Sequence, residues 1–337
     1  MPALVQGRKV RVGFIGAGAN ARQHMDDLRR DPLAEVVAFC DSNPQVLAET
    51  AARLPALAGL PQFTDYRALI DQVRPDGVVI SIPHTLHFAV AAYALEHGVS
   101  VGLEKPMTCS VEDARRLIEL RDRTGLVLTV GYQRHYEGVW RYAHEQVAGG
   151  ALGPLHFVEV WQCQHWSGVG WRGVRELSGG GFINDTGSHM VALLLWTTGI
   201  RPTEVSAYLE NRDIQVDRLG AIAFRFPGPG LGTIALVGES MRGIDEGIQY
   251  WCRDGRLRID GFDRKATATL HLPDYVVRRQ TAEELTNYPV GKDGNFVRCI
   301  PGQYQPQVAA ECGLEVAAFT EAVFRSVQTH GPAAVHY

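Results

Sequence analysis

The polar residues best placed to do chemistry lie in separated stretches of this chain. The first is Glu104-Lys105-Pro106, which abruptly ends the apolar run 99–103. Ligands of open α/β sheets bind beyond the carboxyl ends of the strands, so a lysine there is set to meet a cofactor or a substrate. A protonated Lys105 would hydrogen-bond a reacting oxygen and stabilise negative charge developing on it. Glu104 is expected to hold that lysine in place. The second stretch runs from Gly179-Gly180-Gly181 to Asp185 and His189. A spacing of four puts both polar side chains on one face of a predicted helix. The glycines let the backbone pass close to another surface. Histidine titrates near the working pH and suits a base that takes a hydroxyl proton. Asp185 either orients His189 or accepts a neighbouring substrate hydroxyl. The opposite assignment, with Lys105 as the base, stays open because burial depresses a lysine pKa.

A third stretch, Val10 to Ala21, reads as strand, tight turn and helix start, with Gly16, Gly18 and Ala21 in a G-x-G-x-x-A pattern. Gly16 permits the turn, Gly18 lets the backbone approach a pyrophosphate, and Ala21 allows close helix–strand packing. The free amides and partial positive charge of the helix start suit phosphate. Asp41, ending the next strand, is the acidic residue expected to accept hydrogen bonds from an adenine ribose. Its charge repels a 2′-phosphate, and Ser42-Asn43-Pro44 adds no arginine for one, so NAD is expected over NADP. The cofactor-binding set is Gly16, Gly18, Ala19, Asn20, Asp41 and Ser42, with Ile82, Glu104 and Lys105 at later strand ends. His84 and His87 have no acidic or cysteine partner nearby in sequence, and no metal is expected.

Positioning these residues requires alternating elements. Strands are predicted over 9–15, 35–40, 77–82, 99–103 and 126–130, and helices over 20–30, 44–54, 65–73, 88–97 and 110–123. Near-continuous apolar strands between helices imply a parallel sheet covered on both faces. Beyond residue 131 the pattern changes. Helices are predicted over 134–147, 186–198 and 308–327, and strands over 155–164, 204–209, 221–226, 232–237, 248–252, 256–259 and 266–272. Successive strands joined by short turns imply a mostly antiparallel sheet. The expectation is an α/β protein with a parallel-sheet domain over 1–131 and a second α/β domain over 132–337 that carries a large, open, mostly antiparallel sheet.

Composition narrows the partners. The 337 residues carry a net charge of −4, with 45% hydrophobic and 21% charged residues, as in an ordinary globular protein. No block of like charges occurs, so neither nucleic acid nor an anionic membrane surface is an expected partner. No stretch approaches the roughly 20 apolar residues needed to span a bilayer. The first residues lack the order of a signal peptide. The six cysteines are scattered with no Cys-x-x-Cys, so reduced thiols and a cytoplasmic location are expected.

Taken in order, the glycine fingerprint, Pro83-x-x-x-His87, Glu104-Lys105-Pro106 and the segment from Gly179 to His189 resemble the Gfo/Idh/MocA oxidoreductases. This is the group of glucose–fructose oxidoreductase and inositol dehydrogenase, and the resemblance runs from residue 9 to about 325. It implies a Rossmann domain followed by an open-sheet α/β domain. It also implies an NAD(P)-dependent dehydrogenase or reductase acting on a sugar or cyclitol hydroxyl or the corresponding ketone, and a homodimer or homotetramer. The resemblance matches Lys105 to the active-site lysine, Asp185 and His189 to the Asp-x-x-x-His pair, and His87 to a cofactor-side histidine. It places residues 132–136 near substrate, where Arg134 keeps the pattern's arginine and His135 stands where a second arginine is frequent. Trp161, His165, Trp166 and Trp171 form an aromatic-rich strand and loop able to stack on a sugar ring. The substrate-binding set is Lys105, Arg134, Trp166, Asp185 and His189. Asp245 and Glu246 either bond hydroxyls or are simply solvated. Family members commonly continue past residue 325 with a further helix, whereas this chain stops at Val335-His336-Tyr337. Two other function classes stay open on sequence grounds: an NAD-dependent glycosidase or lyase that oxidises a sugar carbon transiently, and a non-catalytic NAD-binding sensor.

Overall fold

The structure, a computed structural model, describes residues 8–337. Residues 1–7, on which the signal-peptide reading rests, lie outside them. The chain divides into two compact units. The first comprises residues 8–108, Glu112–Gly131 and Val290–Glu311. Its elements begin β1 (Val10–Ile15), α1 (Ala19–Arg30), β2 (Ala34–Cys40), α2 (Pro44–Arg53), β3 (Gln62–Phe63) and α3 (Tyr66–Val73). They continue β4 (Gly77–Ile80), α4 (His87–Glu96), β5 (Ser100–Leu103), α5 (Val111–Thr124) and β6 (Leu128–Val130). Two of these helix starts are capped by short polar side chains. Asn43 accepts from the Gln45 N–H at 3.0 Å ahead of α2, and Asp65 from the Arg67 N–H at 3.0 Å ahead of α3.

The strands lie in the order β3-β2-β1-β4-β5-β6, all parallel. Every residue of β4 and of β6 is buried, as a sheet covered on both faces requires. Strand order reverses between β1 and β4, and ligands of doubly wound sheets bind beyond the carboxyl ends at such a point.

The second unit comprises Cys109–Val111, Tyr132–Pro289 and Cys312–Tyr337. It opens with α6 (Gly138–Val147), β7 (Leu155–His165), α7 (Arg175–Ser178) and α8 (Gly187–Thr198). The run of strands is β8 (Glu204–Glu210), β9 (Leu219–Arg225), β10 (Leu231–Val237), β11 (Glu239–Cys252), β12 (Gly255–Asp260), β13 (Thr267–His271) and β14 (Val277–Thr281). After α9 (Lys292–Cys299), which belongs to the first unit, come α10 (Ala310–Thr329) and β15 (Ala333–Ala334). The nine strands run β14-β13-β12-β11-β7-β10-β9-β8-β15, antiparallel except for the parallel pair β7 and β10. Burial alternates along β9 and β10, so Ile222, Phe224, Ile234 and Leu236 form an inner face. The apolar α8 is buried almost throughout, as a helix hydrophobic on all sides must be.

The structure departs from the sequence expectations in places with identifiable causes. The helix predicted over 134–147 is broken at Glu137, which is extended at φ −83°, ψ 135°. There the Gly138 N–H donates to Asn287 Oδ1 at 2.6 Å, so a tertiary bond competes with the helical one. The strand predicted over 248–252 is the end of the longer β11. Strand β14 is polar and mostly exposed and carries no alternating signal. Helix α9 was also not expected, and it differs from the contiguous division at residue 131 by returning to the first unit. Its anchor is Phe296, 1% exposed. A Cβ built on Gly77 would lie 2.8 Å from the Phe296 ring and one on Gly102 3.1 Å from it. Glycines in β4 and β5 thus leave the notch that the ring fills. Arg298 Nη1 meets Asp31 Oδ2 at 2.6 Å and ties down the far end of α9. Among the described residues no helix is long and apolar enough to cross a membrane.

Phe296→Ala removes this anchor and opens a cavity against β4 and β5. The expected cost is about 3–5 kcal/mol, read as a lowered urea midpoint for the first unit. An unchanged midpoint would show that α9 is not held by this ring.

Candidate active site

In the first unit the glycine loop follows β1 directly. Gly16 has φ +93°, and a Cβ there would sit 2.0 Å from the Ser81 carbonyl oxygen. Only glycine fits both the conformation and the gap. Gly18 precedes α1, and a Cβ there would meet nothing within 4 Å. The glycine at that place is not demanded by the protein, and it leaves open room against the start of α1. That start carries no side-chain cap and no acidic residue in its first turn. Its amides and dipole are therefore directed at an anion from outside. Ala19 and Asn20 form the first turn, and Asn20 Nδ2 donates to Ser81 Oγ at 3.2 Å. Ala21 is fully buried.

Asp41 follows β2. Its Oδ2 accepts the Ala17 N–H and its Oδ1 the Asn43 N–H, both at 3.0 Å. These bonds hold the carboxylate at the rim of the glycine loop, and Ser42 beside it is exposed. The residues fit a dinucleotide: an open amide cradle for the pyrophosphate and an oriented carboxylate for the ribose. An arginine absent from the sequence neighbourhood of Asp41 does approach the loop. Arg22 of α1 donates to the Ala17 carbonyl and to Thr50 Oγ1, each at 3.3 Å.

His87, expected on the cofactor side, is fully buried. Its Nδ1 lies 2.8 Å from the Pro106 carbonyl and its Nε2 3.0 Å from the Ile82 carbonyl. Burial holds its pKa below the ordinary value, so the neutral ring donates to one carbonyl at a time. Both nitrogens face the protein, and His87 serves the site by holding Ile82 and Pro106. Lys105 is half-buried, and its peptide bond to Pro106 is cis. Glu104 is 8% exposed, and its Oε2 accepts the Lys105 main-chain N–H at 3.3 Å.

In the second unit Asp185 and His189 do not share one helix. Helix α8 begins at Gly187, so His189 lies in its first turn and Asp185 in the turn before it. The cause is Asp217, whose carboxylate accepts the N–H groups of Gly181 and Ile183, each at 2.8 Å. A Cβ on Gly181 would lie 2.0 Å from the Asp217 carbonyl oxygen, which is the close approach the glycine run allows. Asp185 is 3% exposed. Its Oδ2 accepts Trp166 Nε1 at 3.0 Å and Arg172 Nε at 3.0 Å. His189 is 7% exposed, and the Tyr132 ring meets it edge-on at 5.8 Å. Trp166, expected against substrate, is buried and orients Asp185. Arg172 and Asp217 were not legible as site residues, although Arg172 adjoins the Trp171 already marked in the aromatic loop.

Arg134 is 4% exposed, and its Nη2 donates to Glu246 Oε2 at 2.7 Å. Gln162 Nε2 donates to the same oxygen at 2.9 Å. Glu246 is fully buried, not solvated. Beside this pair, burial pushes the Glu137 carboxyl up to about 7, with Arg134 opposing the shift and Glu246 and Asp263 adding to it. His135 is buried against Trp196, and burial pushes it down to about 3. It is therefore neutral and does not replace the arginine charge.

The sheet order, the glycine loop and the open start of α1 define a dinucleotide-binding Rossmann domain. Residues 10–132 match the oxidoreductase family's NAD-binding Rossmann fold, and residues 140–258 match the GFO/IDH/MocA C-terminal domain. The chain belongs to the Gfo/Idh/MocA oxidoreductase family. It is similar to the D-glucoside 3-dehydrogenase of Escherichia coli (strain K12), 29% identical over 203 residues, which cover 59% of this chain and 57% of that protein. The rhizopine catabolism protein MocA of Rhizobium meliloti is 27% identical over 195 residues, 58% of this chain and 59% of that one. The chain thus spans somewhat more than half the length of these curated relatives. The WlbA dehydrogenase from Bordetella pertussis, solved in complex with NADH and UDP-GlcNAcA, has the same fold, with a TM-score of 0.85 at 23% identity over 99% of each chain.

The Glu137 carboxyl supplies a pH test. Its folded pKa of about 7 lies above the ordinary 4.5, so the fold loses stability as pH rises through that window. Glu137→Gln removes the loss. Its melting temperature is expected to exceed wild type by a few degrees near pH 8 and to equal it near pH 4. An equal difference at both values would count against the burial of this group.

Proposed function

We propose that this protein oxidises a hydroxyl carbon of a sugar or cyclitol, or reduces the corresponding ketone, with a nicotinamide cofactor. The observation that carries the reading is the joint retention of Lys105 beyond β5 and of the Asp185 and His189 pair at the start of α8, in a chain of this family. A sensor would have no need of these groups. The names of the similar D-glucoside 3-dehydrogenase and of the structure holding UDP-GlcNAcA and NADH support a sugar-type substrate.

When bound, the nicotinamide supplies the hydride acceptor or donor. The protein's own residues do the rest. His189 takes the hydroxyl proton on oxidation and returns it on reduction. The Lys105 ammonium grips the reacting oxygen and stabilises its developing charge. Asp185, held by Trp166 and Arg172, orients the substrate hydroxyls or His189. Asp41 favours NAD over NADP by charge. We place the protein in the cytoplasm as a homodimer or homotetramer.

A panel of sugars, polyols and ketoses followed by NADH absorbance tests the reading. Net NADH formation from a ring polyol or sugar supports it. Turnover with no net NADH change would favour transient oxidation, and NAD binding without turnover would favour a sensor. With a substrate in hand, His189→Ala is expected to lower kcat by at least about a hundredfold while NADH affinity stays similar. Unchanged turnover removes His189 as the base. Asp41→Ala is expected to narrow the preference for NAD over NADP, measured as the ratio of kcat/KM for the two cofactors.

A further inference from the structure

The Glu104 carboxylate is gripped by groups that the reaction reading does not use. Lys292 Nζ donates to its Oε1 at 2.5 Å, and His24 Nε2 lies 3.2 Å from the same oxygen. His24 is 3% exposed, and its Nδ1 lies 2.8 and 2.9 Å from the two oxygens of Asp293. All these residues belong to the first unit. The carboxylate's other oxygen accepts the Lys105 main-chain N–H, and the Pro106 carbonyl just beyond is held by His87. Lys105 therefore stands between two tethered neighbours.

The register of α9 along β5 explains how Lys292 arrives. Phe296 covers Gly102, and Lys292 lies one helical turn earlier. Four helical residues rise about 6 Å. Gly102 to Glu104 along an extended chain is about 6.6 Å. The two steps match, so seating Phe296 over Gly102 brings the Lys292 ammonium level with the Glu104 carboxylate. His24 enters from α1, the helix whose first turn forms the phosphate cradle, and Asn20 Nδ2 lies 3.3 Å from its Nε2.

We propose that Lys292 and His24 are positioning residues for the reaction, fixing Glu104 as an oriented carboxylate and, through it, the main chain that presents Lys105. The inference rests on the role given to Lys105 above. A buried carboxylate that loses one of its cations takes up a proton at higher pH, becoming a donor whose remaining acceptor oxygen is uncharged and weaker. The Lys105 N–H would then lose its charged acceptor. With both cations in place Glu104 is held well below the usual carboxylate range: burial opposes this, and Lys292, His24 and Lys105 outweigh it. Burial and Lys292 also oppose charge on His24, but Asp293 and Glu104 prevail and push it up to about 9. Asp27 of the same helix faces this group as well.

The test compares Lys292→Met, Lys292→Arg and His24→Gln with wild type in the full chain. The first readout needs no substrate: the Lys105 amide resonance in a 15N spectrum. In wild type it is expected to stay flat between about pH 5 and pH 8, and in Lys292→Met to titrate there as Glu104 takes up a proton. The second is kcat on the substrate found by the panel. Lys292→Met and His24→Gln are expected to lower it about tenfold or more, with a new loss toward acid pH, while the NADH Kd from fluorescence moves by less than about threefold. Lys292→Arg is expected to restore most of both readouts. A Lys105 amide that does not respond in Lys292→Met overturns the proposal, as does a Lys292→Met enzyme with wild-type kcat and acid limb. If wild type turns over nothing in the panel, the function reading fails separately, and the amide readout still decides whether Lys292 and Glu104 hold the Lys105 main chain.

Discussion

A carboxylate buried at the end of a parallel strand must be matched by cations, and in the first unit that requirement governs the arrangement around Glu104. Removing a charge from water costs several kcal/mol unless partners replace the water. Here one partner comes from α1 and the other from α9, separated from Glu104 by 188 positions in the chain. Helix α1, the strand end and the returning helix are thereby tied to one another. Phe296 supplies the apolar half of the same tie by filling the notch over Gly77 and Gly102.

The second unit meets a similar problem with backbone in place of charge. The turn before α8 carries N–H groups that the helix does not use, and Asp217 accepts two of them. Helix α8 is buried nearly throughout, so its start has little freedom once that turn is set. Asp185 is then fixed from its side-chain end by an indole and a guanidinium that donate to one oxygen. His189 follows one turn on, packed against the Tyr132 ring. Side chains held in this way lose little further freedom when a ligand arrives, which is the main contribution of a prearranged site.

The chain belongs to the Gfo/Idh/MocA oxidoreductase family and carries its NAD-binding Rossmann unit. On that shared scaffold the second unit carries buried or half-buried polar groups in Arg134, His135 and Arg172. Arg134 is committed to Glu246 in a buried cluster. Burial pushes His135 down to about 3, so its ring is neutral. Arg172 keeps a half-exposed guanidinium over the Trp171 ring. A fold by itself serves many substrates, so specificity on a shared scaffold is a matter of polar side chains rather than of the fold.

The local signals in the sequence determined much of this. The glycine spacing, the apolar strands and the polar stop after 103 specify a parallel sheet, a dinucleotide loop and the lysine's place, since each depends only on residues near it in the chain. The alternation after residue 155 likewise specifies an antiparallel sheet. The break at Glu137, the turn that holds Asp185 ahead of α8, the burial of Trp166 and Glu246, and the return of α9 with Lys292 were decided by tertiary structure alone. Each depends on a partner far away in the chain: Asn287, Asp217, Asp185, Arg134 and Glu104 respectively. A hydrogen bond or ion pair between distant segments leaves no periodicity in either one, so nothing in a single sequence marks it before the chain has folded.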